Sequence, residues 1–409
     1  MQCVRLALVQ ADKGGLLVMR DNSCEAPILI GHHFASHGMG EHVRCSFRAL
    51  QAAGLTVSLH DIYPRDAHFD PTLAREFGSH LVHRLSSGIN IFYINGDGVK
   101  QAFVYIGNEL PPSAYNIIYP TWELSIYPQE WAKQLDRFDE IWVPSKFVFD
   151  CISKAVSKPV FHMPLATDMR LTSFRGRRYF DLPESSYLFL FYFDFNSYID
   201  RKNPFAVIGA FEKMCSGRPD ADTYLVIKLN RHIDSYVANL GFPRLVEAVN
   251  HCQYRDRVII IDKVFSDNEV KNLVRCCDCF VSLHRSEGFG RGMAEAMFLA
   301  KPVVATGYGG NLNFMNETNS CLVRYKLIDV EEEQYPCAKG QVWAEPDIDH
   351  AVHYMLKLLD DRDYGRKLGQ IASRHIRTHF SYRAIGLRYR DRLDQILQKT
   401  GLSMNIENA

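Results

Sequence analysis

The chain has 409 residues and a mass of 46.9 kDa, a length that predicts two or three domains. Hydrophobic residues make up 47% and charged residues 23%, an ordinary globular composition that excludes disordered and fibrous proteins. The 47 Lys and Arg residues balance 47 Asp and Glu residues, so the sequence gives no support for nucleic-acid binding.

The cysteines and the first residues indicate a compartment. The eleven cysteines are an odd number and are scattered along the chain, which favours a reducing environment. The first residues do not have the pattern of a secretion signal, and no apolar run approaches the roughly 20 residues of a membrane span. We therefore expect a cytoplasmic protein.

The first part of the chain alternates strand and helix patterns. Two apolar runs at 6–9 and 16–20 predict a β-hairpin extension within residues 1–26. Short apolar runs then predict buried strands at 28–31, 55–59, 89–94, 115–119 and 140–143, and amphipathic patterns predict helices at 41–53, 129–138 and 145–156. This alternation is typical of a parallel sheet that is covered on both faces.

A second series follows an arginine-rich stretch. Strands are predicted at 187–193, 223–229, 257–261, 279–283 and 302–305, with helices at 203–215, 242–252, 267–277 and 291–299 between them and further helices at 348–360, 363–378 and 381–398. We predict an α/β protein with two Rossmann-like, doubly wound domains facing across a cleft. The predicted divisions are an N-terminal domain at 1–170, a linker at 171–186, a second domain at 187–378, and a C-terminal helix at 379–409 that packs back on the first domain.

The strongest local motif is the run 286–297, SEGFGRGMAEAM, which leads from a predicted strand into a helix. Its glycines let the backbone approach a ligand, and the free N–H groups of the helix start suit a phosphate. Glu287 precedes the helix and Glu295 lies within it, so the two carboxylates can reach different parts of one ligand. The alternative is a helix N-terminus whose acidic residues are favoured by the helix dipole.

Several motifs together resemble one enzyme family. SEGFGRGMAEAM and KPVVATGYGGNLNFM are similar to the donor site of family 4 retaining glycosyltransferases, which have the two-domain GT-B fold. RKNPFAVIGAF and YLVIK resemble the diphosphate-binding region of that family, and DEIWVPSKFVFDCI resembles the end of its N-terminal domain. YNIIYPTWELSIYPQEW resembles bacterial members that build surface polysaccharides, including lipopolysaccharide.

The resemblance implies roles for residues of the second domain. Glu295 would bind the ribose of the donor nucleotide, and Glu287 would hold hydroxyls of the donor sugar. Arg201, Lys202 and Lys228 would neutralise the leaving diphosphate, a role that also follows from the charge this group gains in the transition state. The remaining implied donor contacts are Gly288, Phe289, Gly290, Arg291, Gly309, Gly310 and Asn311. At Arg291-Gly292 the family commonly has an apolar residue and proline, so Arg291 either points at the donor or faces solvent.

The first domain offers two further candidate regions. The loop with Gly38, Met39 and Gly40 matches the family's glycine-rich loop near the diphosphate and the acceptor. Four histidines lie in or beside this loop, but without the ligand pattern of a metal site, and GT-B enzymes generally work without a bound metal. Trp122 and Glu123 follow a predicted strand, where a ring and a carboxylate suit an acceptor sugar, and Glu123 is also a candidate catalytic residue.

The resemblance therefore implies a retaining glycosyltransferase that works without a cofactor. Its donor would be a GDP-, UDP- or dTDP-sugar carrying mannose, another hexose or rhamnose. Its acceptor would be a glycan or a lipid-linked oligosaccharide, with peripheral contact to the inner membrane left open. The alternatives are a non-catalytic sugar-nucleotide-binding scaffold descended from such an enzyme, and a sugar-nucleotide epimerase or hydrolase on the same fold.

Overall fold

The structure, a computed structural model, describes residues 26–35, 37–63, 71–107, 110–230 and 235–402. The hairpin predicted at 6–20 lies outside the described residues. The first sheet has six parallel strands in the order β2-β1-β3-β4-β5-β6. Its strands are β1 (Ile28–Gly31), β2 (Ser58–Asp61), β3 (Ile89–Phe92), β4 (Tyr115–Ile118), β5 (Glu140–Val143) and β6 (Val160–His162).

The second sheet also has six parallel strands, in the order β12-β11-β10-β7-β8-β9. They are β7 (Tyr187–Asp194), β8 (Thr223–Asn230), β9 (Val258–Asp262), β10 (Cys279–Ser282), β11 (Val303–Thr306) and β12 (Cys321–Val323). The predicted class, an α/β protein with two Rossmann-like domains, is confirmed. The residue boundaries of the domains and of the linker stay a prediction.

Helices cover the two sheets, and local sequence sets their ends. Ser266 and Glu269 form a capping box at the start of α9. Asn203 accepts from the N–H of Ala206 and precedes Pro204, the first residue of α7. The helices are α1 (Gly38–Ala52), α2 (Pro71–Phe77), α3 (Val99–Tyr105), α4 (Gln129–Leu135), α5 (Lys146–Ile152), α6 (Ile199–Lys202), α7 (Pro204–Gly217), α8 (Tyr236–His251), α9 (Asp267–Cys276), α10 (Arg291–Phe298), α11 (Ile348–Asp360), α12 (Arg362–His379) and α13 (Tyr382–Thr400).

The last helix, α13, crosses back to the first sheet, as predicted. A Cβ atom at Gly386 would lie 1.9 Å from the carbonyl oxygen of Ala49, so α13 and α1 are in close backbone contact. Arg392 of α13 forms an ion pair with Glu140 of β5, whose side chain is fully buried. Within the described ranges, no helix has both the length and the apolar character that a membrane span requires.

A small antiparallel hairpin is among the elements that were not predicted from the sequence. Strands β13 (Tyr325–Asp329) and β14 (Val342–Pro346) form an antiparallel hairpin outside the two main sheets. The loop between them, residues 330–341, buries Val330, Tyr335 and Ala338 in an apolar cluster that contains residues of the first half. The hairpin therefore extends the second half onto the first, beside the cleft.

Candidate functional site

The carboxyl ends of β7 and β10 lie side by side where the strand order of the second sheet reverses. Such a switch point is where open α/β sheets bind ligands. Arg201 and Lys202 lie on α6, which follows β7, and Glu287 follows β10. Nζ of Lys202 donates to the Glu287 carboxylate, and the Arg201 guanidinium lies 3.4 Å from its other oxygen. The structure thus brings three predicted site residues into one cluster.

The cluster is buried and its charges are set by mutual contacts. Arg201 is 4% exposed and Glu287 is 9% exposed. Burial by itself would raise the pKa of Glu287, but Lys202 and Arg201 outweigh it and lower this pKa to about 2. Burial also lowers the pKa of Lys202, against the opposing effect of Glu287. Arg201 is further held by hydrogen bonds of 3.0 Å to the carbonyl oxygens of Ser197 and Ser286. Glu287 is therefore an ionised carboxylate held by two cations.

Glycines let the two loops of the predicted donor site lie against each other. The N–H of Gly310 donates to the Glu287 carbonyl at 2.6 Å. A Cβ atom at Gly310 would lie 2.0 Å from the carbonyl oxygen of Gly288, so no other residue fits there without moving the backbone. Gly290 caps α10 with a φ of 93°, which L side chains rarely adopt. Gly309 directly precedes Gly310. The structure therefore brings together the four glycines predicted for the donor site, Gly288, Gly290, Gly309 and Gly310.

Phe289 and Asn311 are both buried in these loops. The Phe289 ring packs on Phe314 and Phe380, with ring centres 5.1 and 6.5 Å apart, respectively. The Asn311 amide donates to the Thr306 carbonyl at 3.1 Å, while its Oδ1 is buried with no hydrogen-bond partner among the described residues. Both side chains therefore support the loops, and the predicted donor contact of Phe289 would come from its backbone.

Glu295 lies inside α10, with Tyr192 and Arg291 beside it. The Tyr192 hydroxyl donates to Glu295 Oε2 at 2.7 Å. Burial raises the pKa of Glu295, and Arg291 and the Tyr192 hydrogen bond oppose this effect only in part. Nη1 of Arg291 donates to Sγ of Cys45 on α1 at 3.4 Å. Arg291 therefore extends across the cleft to the first half. The two orientations considered from the sequence, toward the donor or toward solvent, did not include this contact.

Lys228 stands apart from the ion-pair cluster. It lies on β8 beside Tyr192 of β7, and its Nζ is 5.7 Å from the centre of the Phe265 ring. Burial lowers the pKa of Lys228 to about 8, because the carboxylates near it on β7, β9 and α9 compensate only in part. In the part of the chain that the structure describes, no hydrogen bond or ion pair joins Lys228 to Lys202 or Glu287. Lys228 is therefore the strand neighbour of Tyr192, the residue that donates to Glu295.

Trp122 and Glu123 follow β4 on the other side of the cleft. The Tyr335 hydroxyl donates to Glu123 Oε2 at 2.7 Å. Trp122 is 3% exposed, its Nε1 donates to the Ile126 carbonyl at 2.9 Å, and its ring meets Trp131 edge-to-face at 4.9 Å. The prediction that Trp122 stacks on an acceptor sugar does not fit this packing, because the ring is enclosed by other aromatic residues. Glu123 is the better acceptor-side candidate of the two.

The predicted glycine-rich loop forms the start of α1. The Gly40 N–H donates to Nδ1 of His37 at 3.2 Å, and a Cβ atom at Gly40 would lie 2.2 Å from a backbone oxygen of the preceding turn. Sδ of Met39 accepts from the Thr121 hydroxyl at 3.9 Å. Gly38, Met39 and Gly40 thus lie at the loop that carries Glu123.

Two histidines near this loop are core residues. His33 lies 2.9 Å from the Leu29 carbonyl, and His42 packs edge-to-face on Tyr93 and Tyr119. Burial lowers the pKa of both imidazoles. Across the described ranges, no three His, Cys, Asp or Glu side chains are grouped as metal ligands.

Tyr192 and Tyr335 were not identified from the sequence. Tyr192 lies in the continuous apolar run of β7, where neither residue type nor spacing marks one side chain as functional. Tyr335 lies in an irregular loop more than two hundred residues from Glu123 in sequence. Their positions follow from strand register and from the unpredicted hairpin, so no sequence signal could have found them.

Two comparisons used sequence alone. Residues 182–375 match the family model for glycosyl transferases, group 1, and this range contains the whole second sheet and the ion-pair cluster. A comparison with curated proteins gave no match.

Solved structures share the fold over nearly the whole chain. Sucrose-phosphate synthase from Thermosynechococcus elongatus is 15% identical with a TM-score of 0.67, and the match covers 91% of this chain and 100% of that one. Anabaena HepE in complex with UDP and glucose is 12% identical with a TM-score of 0.66, covering 90% and 100%, respectively. A glycosyltransferase from Rickettsia africae is 14% identical with a TM-score of 0.63, covering 91% and 99%. Identities this low show the GT-B fold, and with the family match they support a glycosyltransferase.

Proposed function

We propose that this protein is a retaining glycosyltransferase that moves a hexose or rhamnose from a nucleotide-diphosphate sugar to a hydroxyl of a glycan or lipid-linked oligosaccharide. The observation that carries the proposal is the buried cluster of Arg201, Lys202 and Glu287 at the switch point of the second sheet. It lies within the segment that matches group 1 glycosyl transferases. We propose polysaccharide biosynthesis as the setting.

The charges of this cluster suit the donor. Glu287 is ionised, because its pKa is lowered to about 2, so both carboxylate oxygens can accept hydrogen bonds from sugar hydroxyls. Lys202 and Arg201, already held beside this carboxylate, would also face the diphosphate as it leaves. Fixed cations in a buried site stabilise developing charge without reorganisation. Glu295, held by Tyr192, would accept from the ribose hydroxyls.

The acceptor would enter from the first half, beside Glu123. In a retaining transfer the bond from the anomeric carbon to the diphosphate breaks first. The acceptor oxygen then bonds to that carbon on the same face, while a departing phosphate oxygen takes the proton of the acceptor hydroxyl. Glu123 would orient that hydroxyl, and closure of the halves would exclude water from the reactive sugar. Neither step uses a bound metal, so we expect transfer to continue in EDTA.

Binding and turnover with purified protein test this proposal. We would titrate GDP, UDP and dTDP by calorimetry, with UDP first because HepE was solved with UDP and glucose. The Glu295→Ala variant should bind the selected nucleotide more weakly, while an alanine at the exposed Glu130 should leave binding unchanged. Nucleotide release from the matching sugar donor, dependent on an added saccharide acceptor, would establish transfer.

The other outcomes separate the remaining functions. Selective nucleotide binding without turnover of any acceptor would favour a non-catalytic scaffold. Conversion of the donor without an acceptor would indicate an epimerase or a hydrolase. Binding of none of the three nucleotides would contradict the proposed donor site.

A further inference from the structure

The loop of the unpredicted hairpin makes specific polar contacts across the cleft. Nε2 of Gln341 donates to the Ile126 carbonyl at 2.7 Å, and its Oε1 accepts from the Ile126 N–H at 2.9 Å. Tyr335 in the same loop is 7% exposed and contacts Trp122 with ring centres 5.8 Å apart. The loop is therefore docked on the segment that carries Glu123, through both the backbone and side chains of that segment.

Tyr335 lies between the candidate acceptor side and the candidate donor side. Its hydroxyl donates to Glu123 Oε2 at 2.7 Å. Its ring contacts the Tyr198 ring at 4.8 Å, and the Arg201 guanidinium lies 5.8 Å from the ring centre. Burial raises the pKa of Tyr335 well above the usual value for tyrosine, so its hydroxyl keeps its proton and acts as a donor. One side chain of the second half thus contacts groups on both sides of the cleft.

We propose that Tyr335 is a positioning residue that holds the Glu123 carboxylate in its working orientation. This inference rests on the proposed function, in which Glu123 orients the acceptor hydroxyl. A glutamate side chain has several rotamers, and a hydrogen bond from a buried hydroxyl can select one of them. The hydroxyl that donates this hydrogen bond belongs to Tyr335 in the second half of the chain, whereas Glu123 lies in the first half. Glu123 therefore reaches this orientation only when the two halves are closed on each other. Closure of the halves and orientation of the acceptor are therefore coupled through the Tyr335 hydroxyl.

A double-mutant cycle tests the contact without any assay of activity. The variants are Tyr335→Phe, Glu123→Ala and the double variant, compared by the equilibrium constant of unfolding in urea. The hydrogen bond exists only when both groups are present, so each single variant already loses it in full. The change in the unfolding constant of the double variant should therefore be smaller than the product of the two single changes, by a factor of about five or more. Additive losses would overturn the proposal.

Steady-state kinetics test the role of the contact. Tyr335→Phe keeps the ring and removes only the hydroxyl, so we expect kcat to fall about tenfold or more while the donor KM and the nucleotide-binding stoichiometry stay the same. The matched control is Tyr179→Phe, which removes an exposed tyrosine–glutamate hydrogen bond of 2.6 Å to Glu269. The control should keep the wild-type kcat. An unchanged kcat in Tyr335→Phe would overturn the proposal, and so would an equal fall in both variants.

These results separate the inference from the proposed function. If the wild-type protein transfers no sugar, the transfer assay contradicts the proposed function. The double-mutant cycle in urea still decides whether Tyr335 holds Glu123, because it does not depend on activity. If transfer is observed and the cycle shows coupling, the kinetics of Tyr335→Phe decide whether that hold matters for the reaction.

Discussion

Replacing Glu287 with glutamine removes one charge from the ion-pair cluster and keeps nearly the same shape. In the structure this carboxylate accepts from Lys202 and lies 3.4 Å from the guanidinium of Arg201. The variant would leave the buried Arg201 and the half-buried Lys202 without the anion that balances them. Breaking a buried pair from one side costs about 3–5 kcal/mol, because the remaining charge is uncompensated.

The expected loss is large enough to measure by thermal unfolding. At about 2–4 °C per kcal/mol for a domain of this size, the Tm of Glu287→Gln should fall by about 6–20 °C. The control is Glu130→Gln, which breaks a lysine–glutamate pair of 2.8 Å with Lys133 whose side chains are 75% and 67% exposed, respectively. Exposed pairs contribute about 0–1 kcal/mol, so the control should unfold close to the wild type.

Two further measurements identify the cause of the loss. Glu287 is the main group that raises the pKa of Lys202 against burial, so in the variant Lys202 loses its proton more readily. Once Lys202 is neutral it no longer needs the missing anion. The difference in Tm between the wild type and the variant should therefore narrow as the pH rises from 7 to 9.5. Pyrophosphate can replace the missing anion and should raise the Tm of the variant more than that of the wild type. If the Tm of Glu287→Gln equals that of the Glu130→Gln control at every pH, this account of the cluster is refuted.

Three other predictions concern the crossing helix and the donor site. Gly386→Ala places a Cβ 1.9 Å from a backbone oxygen of α1 and should cost about 1–3 kcal/mol in urea unfolding, whereas Gly365→Ala, whose nearest contact is 3.4 Å, should cost less. Arg392→Met leaves the fully buried Glu140 without its cation and should cost about 3–5 kcal/mol in the same assay; an unchanged midpoint would contradict the buried pair. The pKa of Lys228 is about 8, so the ammonium loses its charge above that pH, and nucleotide-diphosphate binding should weaken between pH 7 and 9 by calorimetry in the wild type but not in Lys228→Arg.

The elements that the sequence predicted well are those with a strong, uninterrupted pattern. The run YLFLFYF marks β7 because it is an unbroken apolar run of strand length, and the pattern at 381–398 marks α13 because it keeps a helical periodicity over several turns. The short strand β6 and the exposed, polar strand β13 lack such a pattern and were missed. The helix predicted to begin at 242 begins instead at Tyr236, because Ser235 caps it and Pro243 is accommodated inside.

Some contacts of the candidate site could also be predicted from the sequence, and others could not. The cluster of Lys202 and Glu287 was predictable, because both residues follow strands that the sequence identifies and adjacent parallel strands bring their carboxyl ends together. The partners of Glu123 and Glu295 were not predictable, because Tyr335 and Tyr192 reach them through tertiary packing that no local pattern encodes. The arrangement of Arg291 depends in the same way on where α1 of the other half lies.

The glycine after Glu287 also has a physical explanation that the sequence did not suggest. A Cβ atom at Gly288 would lie 2.8 Å from the carbonyl oxygen of Trp122, and the Ser286 hydroxyl donates to the carbonyl of Glu123. The residues on both sides of Glu287 therefore contact the first half directly, while Glu287 itself contacts the cations of the second half. A side chain at Gly288 would separate the halves at the point where donor and acceptor would meet. The small residue is thus needed for closure of the cleft, in addition to any approach of the backbone to a ligand.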